Sequence, residues 1–118
     1  MLIFVDDDLE NRKTPKGFIR FTTGEDLISF IKNNQEPIHV LSLDNDLGLG
    51  IMEGYDILKE LIAMDIKIYC LNIHSANIIA QRNMISYMKS AIKVGVYPKD
   101  TTICQYSASE IGRIFKND

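Results

Sequence analysis

The stretch that decides the fold is residues 40–48, which read Val40-Leu41-Ser42-Leu43-Asp44-Asn45-Asp46-Leu47-Gly48. An apolar run of this kind is typical of a strand buried in a parallel sheet. It ends in two carboxylates two positions apart, followed by a glycine. Because ligands of open α/β sheets bind just beyond the carboxyl ends of such strands, Asp44 is the predicted centre of a functional site.

Size and composition predict one globular domain over residues 1–118, since 46% of the 118 residues are hydrophobic and 25% are charged. A formal net charge of -3 argues against a broad DNA-binding surface. No apolar run is long enough to span a membrane, and the first residues do not form a signal peptide, so the expected location is cytoplasmic. Cys70 and Cys104 have no paired spacing, which predicts two reduced, buried thiols.

Hydrophobic periodicity predicts strands that alternate with helices. The segment between the first two strands is broken by Thr14-Pro15 and Gly17, so its crossover helix is expected to be short or missing. The alternation predicts a flavodoxin-like α/β fold: a five-stranded parallel sheet in the order 2-1-3-4-5 with helices on both faces. The predicted strands cover residues 2–5, 18–21, 38–43, 67–73 and 101–105, and the predicted helices cover 23–34, 55–64, 78–94 and a last helix capped by Ser107.

Acidic residues follow both the first and the third predicted strand. Asp6, Asp7 and Asp8 come directly after the first, and Asp44 and Asp46 after the third. In the predicted strand order these two strand ends flank the same crevice, so the carboxylates are expected to converge. Clustered carboxylates of this kind are offset by a divalent cation, and oxygen ligands favour Mg²⁺ or Mn²⁺, with Ca²⁺ as a further candidate.

With these residues the chain resembles a receiver domain, the phospho-acceptor fold of two-component signalling. Asp6 and Asp7 match the acids that bind Mg²⁺ in receivers, and Asp44 matches the acceptor aspartate. Asp46 occupies the position whose backbone carbonyl contacts the metal. Ser75 matches the hydroxyl residue that contacts the phosphoryl group. These roles are what the resemblance implies.

The chain departs from signalling receivers at two positions. Gln105 stands in the region of the usual fifth-strand lysine, and Lys99 lies before that strand. His74 directly precedes the strand-four serine, which is unusual in signalling receivers. Together with the motifs Leu43–Gly48, Gly54–Asp56 and Ile73–Asn77 and the pair Asn83-Met84, these features are similar to the variants called cyclic-phosphate-processing receiver domains. Members of that group often carry His where this chain has Asn45.

The resemblance implies chemistry on a cyclic phosphate. Asp44 would bind the metal and either attack phosphorus itself or leave the attack to an activated water. His74 is the predicted proton donor for the leaving alkoxide, because the reference pKa of histidine lies near neutrality. The alternative for His74 is a structural histidine at a strand end. Asn77 is expected to cap the following helix or to contact substrate, and Asn83 to contact substrate or solvent. Three glycines after Asp44 form either a phosphate-covering loop or ordinary turns: Gly48, Gly50 and Gly54.

Three functions remain open from the sequence. The first is a metal-dependent phosphoesterase or phosphotransferase acting on a phosphate-bearing small molecule or an RNA end, with Ser75 and Asn77 holding phosphoryl oxygens. The second is a stand-alone receiver that is phosphorylated on Asp44 and signals through a protein partner. The third is a degenerate receiver that only binds protein. Arg12, Lys13 and Lys16 are expected to form an ordinary solvated loop, with attraction of an anionic substrate as the alternative.

Overall fold

A computed structural model of the protein describes residues 1–47, 52–95 and 100–115. The strands and helices alternate as the periodicity predicts. In chain order they are β1 (Leu2–Val5), β2 (Ile19–Phe21), α1 (Gly24–Asn33), β3 (Ile38–Leu43), α2 (Gly54–Ala63), β4 (Ile68–Ile73), α3 (Ile78–Lys93), β5 (Thr102–Cys104) and α4 (Ala108–Ile114).

The sheet confirms the predicted fold. Five strands pair in the order β2-β1-β3-β4-β5, and every pair is parallel. Val5 is in register with Leu43, and Leu43 with Ile73. The residues that follow these three strands therefore meet at one edge of the sheet, because parallel strands all end on the same side. This is the flavodoxin-like arrangement of a receiver.

One face of the sheet holds the larger core. Alternate residues of β1, β3 and β4 point to this face and pack against α1, α2 and α3. Each of these helices buries apolar side chains completely, for example Leu27 in α1, Ile57 in α2 and Met84 in α3. The apolar stripe of each helix explains its place, since burying that stripe contributes most of the stability of such a helix.

The opposite face is covered differently. Phe4, Phe18, Val40 and Ile111 form a small cluster there, and α4 is the helix that packs on it. Residues 6–18, which connect β1 to β2, form turns and no helix. The first crossover helix is therefore missing, as the Pro and Gly punctuation predicts. The loop 6–18 takes its place, and its Arg12 side chain reaches the residues that follow β1 and β3.

Side-chain caps fix where the helices begin. Thr23 accepts a hydrogen bond from the Asp26 amide at 3.2 Å, and Asn77 accepts one from the Ala80 amide at 3.0 Å. Ser107 opens α4 in a capping box with Glu110. Each supplies an acceptor for a backbone N–H that has no partner within its own helix. The predicted cap at Ser107 is confirmed, and Asn77 fills the capping role that was one of its two expected roles.

The cysteine prediction needs correction. Cys70 and Cys104 are free thiols, as expected, but both are only partly buried, and their Sγ atoms lie 3.5 Å apart across β4 and β5. Sequence spacing could not show this contact, because it arises from the pairing of strands 34 residues apart. No helix in the described part of the chain has the length and apolar character needed to cross a membrane.

Candidate functional site

Three carboxylates converge where β1 and β3 end. Each of Asp6, Asp7 and Asp44 offers an oxygen, and these oxygens lie within 4.8 Å of one another. Asp6 is fully buried and Asp44 is 3% exposed, whereas Asp7 faces solvent. The predicted convergence of two acidic segments separated by more than thirty residues is therefore observed, because the β1–β3 register brings their strand ends together.

A guanidinium group bridges the two buried carboxylates. Arg12 Nη1 lies 3.2 Å from Asp6 Oδ2 and 3.2 Å from Asp44 Oδ2. The Arg12 side chain is 31% exposed and reaches the site from the loop 6–18. Arg12 is thus part of the site, and the expectation of an ordinary solvated loop is wrong for this residue. An arginine of the first loop thus supplies a cation next to Asp44.

A second arginine fixes the loop that carries Arg12. Arg20, on β2, donates from Nε and Nη2 to the Asp6 carbonyl at 3.2 and 2.9 Å, and from Nη1 to the Arg12 carbonyl at 2.6 Å. Its guanidinium also lies over the Phe4 ring, 5.2 Å from the centroid. Arg20 therefore stabilises this loop in place of the missing helix. It donates hydrogen bonds to loop carbonyls that would pair with backbone amides if the segment were helical.

His74 lies behind the acidic cluster. Its Nε2 atom is 2.9 Å from Asp6 Oδ2, and its side chain is fully buried. The imidazole stacks on Phe4, with 4.6 Å between ring centroids and 4° between planes. The ring is thus next to the aspartates, as predicted, but it contacts them from the interior of the protein. Its role as the acid that protonates a leaving group stays a prediction.

A chain of buried hydrogen bonds leads up to His74. Asn72 Nδ2 donates to Ser42 Oγ at 3.0 Å, and Ser42 Oγ lies 2.7 Å from His74 Nδ1. Because the Ser42 oxygen already accepts from Asn72, its own proton is available for His74 Nδ1. The histidine proton then belongs on Nε2, where it is donated to Asp6. The Nε2–H group thus faces Asp6, and residues at two other positions of the sheet hold the ring in this orientation.

The same chain fixes the end of β5. Asn72 Nδ2 donates to the Tyr106 carbonyl at 3.0 Å, and Asn72 Oδ1 accepts from the Tyr106 amide at 2.8 Å. Gln105, directly before it, is exposed, and its side chain donates to Gln81 at 3.2 Å. In the described part of the chain Gln105 thus pairs away from the carboxylates. Lys99 lies outside the described residues.

The residues after β4 form the rim of the site. Ser75 is 2% exposed, accepts from the Asn77 amide at 3.1 Å, and its hydroxyl acts to lower the pKa of Asp44, against the larger effect of burial. Asn77 Nδ2 donates to Asp46 Oδ1 at 3.4 Å, and Asn45 Nδ2 donates to the same oxygen at 3.2 Å. Asp46 is therefore a rim residue whose side chain lies outside the three-carboxylate cluster; metal binding through its backbone carbonyl stays a prediction.

Two other predicted features have different outcomes. Asn83 is exposed on the second turn of α3, and a substrate contact there stays a prediction. Of the three glycines, Gly48 and Gly50 lie outside the described residues. Gly54 is buried and begins α2, so it belongs to a helix start and not to a mobile loop. The Asn45 side chain fixes that start, since its Oδ1 accepts from the Tyr55 amide at 3.0 Å.

The pKa values of the two buried carboxyl groups are shifted in opposite directions. Burial raises the pKa of Asp44, the nearby Asp6 charge adds to this, and the attraction of His74 and Arg12 does not compensate. Burial also acts to raise the pKa of Asp6, but hydrogen bonds from His74 and from the Asp8 amide outweigh it and hold the pKa below its ordinary value. The surroundings of Asp6 therefore stabilise its ionised form, whereas those of Asp44 compensate its negative charge only in part.

The donor set suits a hard divalent cation. Asp6, Asp7 and Asp44 offer only carboxylate oxygens, the ligands that Mg²⁺ and Mn²⁺ prefer, and one of them is open to solvent. Added positive charge would also relieve the raised pKa of Asp44. This buried acidic cluster could bind a metal ion, as the corresponding cluster does in receiver domains.

Sequence reasoning missed Arg20, Ser42 and Asn72. The signal was present, because Phe4, Ser42 and Asn72 are in register across β1, β3 and β4, and each lies two positions before a site residue. Side chains two apart in a strand share a face. Ser42 lies two positions before Asp44, and Asn72 lies two positions before His74. This spacing indicated that both polar side chains lie on the same face of the sheet as the site.

A family profile described as cyclic-phosphate processing receiver domain matches residues 1–90. These residues include β1 to β4 and most of α3, and therefore all three carboxylates, Arg12, His74 and Ser75. Neither a curated protein nor a solved structure matches the chain significantly. The matched part is about three quarters of the chain and has the receiver topology (90 of 118 residues). The chain belongs to the cyclic-phosphate processing receiver domain family.

Proposed function

We propose that this protein is a metal-dependent phosphoesterase or phosphotransferase that opens a cyclic phosphate, or acts on a terminal phosphate, of a nucleotide or an RNA end. The main observation behind the proposal is the set of three carboxylates, with His74 hydrogen-bonded to Asp6 at 2.9 Å. Membership of a family named for cyclic-phosphate processing supports the same chemistry.

Each side chain has a distinct part in this proposal. Asp6, Asp7 and Asp44 would hold a Mg²⁺ or Mn²⁺ ion, which supplies positive charge to a phosphoryl oxygen when bound. The Ser75 hydroxyl and the Asn77 amide side chain lie on the rim beside Asp44 and Asp46, where they can donate to phosphoryl oxygens. Hydrogen-bond donors fixed before substrate arrives lower the barrier without further rearrangement.

Ring opening requires one bond to phosphorus to form and one to break. Either an Asp44 oxygen or a water oxygen bonds to phosphorus, and the P–O bond of the ring breaks. The leaving oxygen takes up a proton, which the attacking water releases in the second route and solvent supplies in the first. If Asp44 attacks, water then hydrolyses the acyl phosphate. The two routes give the same product, and trapping of an acyl phosphate with hydroxylamine distinguishes them.

In this proposal His74 is a positioning residue for Asp6. Its proton on Nε2 is donated to Asp6 Oδ2 at 2.9 Å, and its side chain has no exposed surface through which to reach a substrate. By holding Asp6 ionised, it keeps a metal ligand ready at pH values where an unassisted buried carboxyl would take up a proton. This role differs from that of an acid in direct contact with the leaving group.

The test is turnover of a 2′,3′-cyclic nucleoside monophosphate by the full chain with Mg²⁺. We expect ring opening that EDTA abolishes and Mn²⁺ restores. His74→Ala should lower the rate by roughly 10²-fold and shift the acidic limb of the pH–rate profile upward, because Asp6 then loses a donor. His74→Gln keeps an N–H donor and should recover part of the rate and the profile.

His39 provides the matched control for His74. It is exposed at the start of β3, far along the strand from the site, and His39→Ala should leave rate and profile unchanged. Circular dichroism checks that each variant folds. Absence of ring opening by the folded wild-type protein with either metal would overturn the proposal. Equal loss in His74→Ala and His74→Gln, with an unshifted acidic limb and a missing alkaline limb, would instead point to His74 as the proton donor.

Signalling through a protein partner is the second candidate, and one observation favours it. Ile78 and Ile79 are 61% and 72% exposed in the first turn of α3, directly after the rim residue Asn77. An apolar surface next to the acceptor is where a partner could sense phosphorylation of Asp44. A stable acyl phosphate formed from acetyl phosphate, with no cyclic-phosphate turnover, would support this function over the first.

A further inference from the structure

Arg12 lies between the two buried carboxylates, Asp6 and Asp44. Its Nη1 atom is 3.2 Å from an oxygen of each, and it faces two anions that are 0% and 5% exposed. Two buried carboxylates this close are costly without a cation between them. Arg12 therefore supplies the compensating charge from within the chain.

A metal ion and Arg12 Nη1 cannot both take this position. An ion bound to Asp6 and Asp44 would lie about 2.1 Å from their oxygens, whereas the guanidinium nitrogen already lies 3.2 Å from both. Two positive groups confined there would repel each other strongly, because the surroundings are shielded from water. Entry of the metal thus requires the guanidinium to leave.

The structure gives the guanidinium a place to go. Two hydrogen bonds fix the backbone of Arg12. Its amide donates to the Asp8 carbonyl at 3.0 Å, and its carbonyl accepts from Arg20. Its side chain lines a cleft of about 340 Å³ together with Asn11, Lys13, Ala108 and Ser109. The head group can therefore swing into this cleft while the loop stays in place.

We propose that Arg12 is an internal counter-ion that occupies the metal position in the metal-free protein and is displaced into the neighbouring cleft when the metal binds. There the guanidinium is free to pair with a phosphate group of the substrate, since its planar donors match phosphate oxygens. The inference rests on the proposed function for its metal and its substrate class. It adds that the first cation of the site is a side chain of the chain itself.

Calorimetric titration of the metal-free full chain with Mg²⁺ tests the displacement. Arg12→Gln should bind Mg²⁺ at least 5-fold more tightly than wild type, since no resident cation competes with the metal. Lys13→Gln is the matched control: it removes one positive charge from the same cleft but makes no contact with the carboxylates in the described structure. It should change the affinity less than 2-fold. Arg12→Lys, with a shorter cation, should lie between wild type and Arg12→Gln.

Binding of inorganic phosphate tests whether the displaced Arg12 guanidinium pairs with a phosphate group. With Mg²⁺ saturating, inorganic phosphate should bind Arg12→Gln about 10-fold more weakly than wild type, so one substitution strengthens metal binding and weakens anion binding. Unchanged or weaker Mg²⁺ affinity in Arg12→Gln, including no binding at all, overturns the inference, whether or not the wild type turns over substrate. Tighter Mg²⁺ binding in Arg12→Gln with no turnover by wild type leaves the inference standing and overturns only the proposed function.

Discussion

Replacing Asp44 with asparagine is expected to abolish ring opening and, in the metal-free protein, to raise stability. The rate should fall on the order of 10³-fold or more, because the variant loses a metal ligand and the candidate nucleophile together. Stability should rise by on the order of 1 kcal/mol, since a neutral side chain replaces a buried carboxylate whose ionisation burial and Asp6 oppose.

The pH dependence of this stability difference has a definite sign. A group whose pKa is raised in the folded protein contributes stability below its ordinary pKa and loses that contribution as pH rises through the folded value. The pKa of Asp44 is raised by its burial and by Asp6. Wild type and Asp44→Asn should therefore be equally stable near pH 3, and the advantage of the variant should grow as the pH rises toward neutrality.

Chemical denaturation of the metal-free proteins across this pH range, read by circular dichroism, measures the difference. Asp46→Asn is the control, because Asp46 is an exposed carboxylate in the same loop, outside the three-carboxylate cluster. Addition of Mg²⁺ should stabilise wild type and Asp46→Asn but not Asp44→Asn. A metal-free Asp44→Asn protein that is less stable than wild type at neutral pH would contradict the electrostatic account of the site.

Replacing Gly54 with alanine is expected to lower the free energy of unfolding by about 2–4 kcal/mol. A Cβ at this position would lie 2.3 Å from the Asp44 carbonyl oxygen and 2.8 Å from the Asn45 Cα. Both are backbone atoms of the loop that carries the site. They cannot move aside as a flexible side chain could, so α2 or the Asp44 carbonyl must shift. Turnover should fall along with stability.

Gly112→Ala is the matched control for Gly54→Ala. Gly112 lies within α4, is exposed, and an added Cβ would meet nothing closer than Pro15 Cβ at 3.8 Å. Alanine there should stabilise the protein by up to about 1 kcal/mol, because it restricts the unfolded chain and favours the helix. Urea denaturation of both variants measures the pair. Equal stability of the two variants would show that close packing at Gly54 is not limiting.

The fold could be predicted because its signals are local and repeated. Apolar runs of strand length alternate with helical periodicity, and the broken segment after Asp8 indicates a first helix that is short or missing. The right-handed, parallel arrangement then leaves few strand orders. The meeting of Asp6 and Asp44 follows from that order alone, since it depends on which strands are neighbours and not on any side-chain rotamer.

The inner contacts of the site could not be predicted in the same way. Whether Arg12 points to solvent or to Asp44 depends on the path of a turn-rich loop, which Arg20 fixes through backbone carbonyls. Likewise, the direction of the His74 ring depends on stacking with Phe4 and on the Ser42 hydroxyl. These are tertiary contacts between separate strands, and a sequence pattern contains no direct record of them.

Binding of a divalent cation by Asp6, Asp7 and Asp44 together is the proposal on which the rest depends. Anomalous diffraction from crystals of the full chain grown with Mn²⁺ locates the ion. We expect a Mn²⁺ peak about 2.1 Å from oxygens of Asp6 and Asp44, with the Arg12 guanidinium moved away, and no such peak in Asp44→Asn. Arg12 still bridging the two carboxylates in the presence of saturating Mn²⁺, with no peak between them, would contradict it.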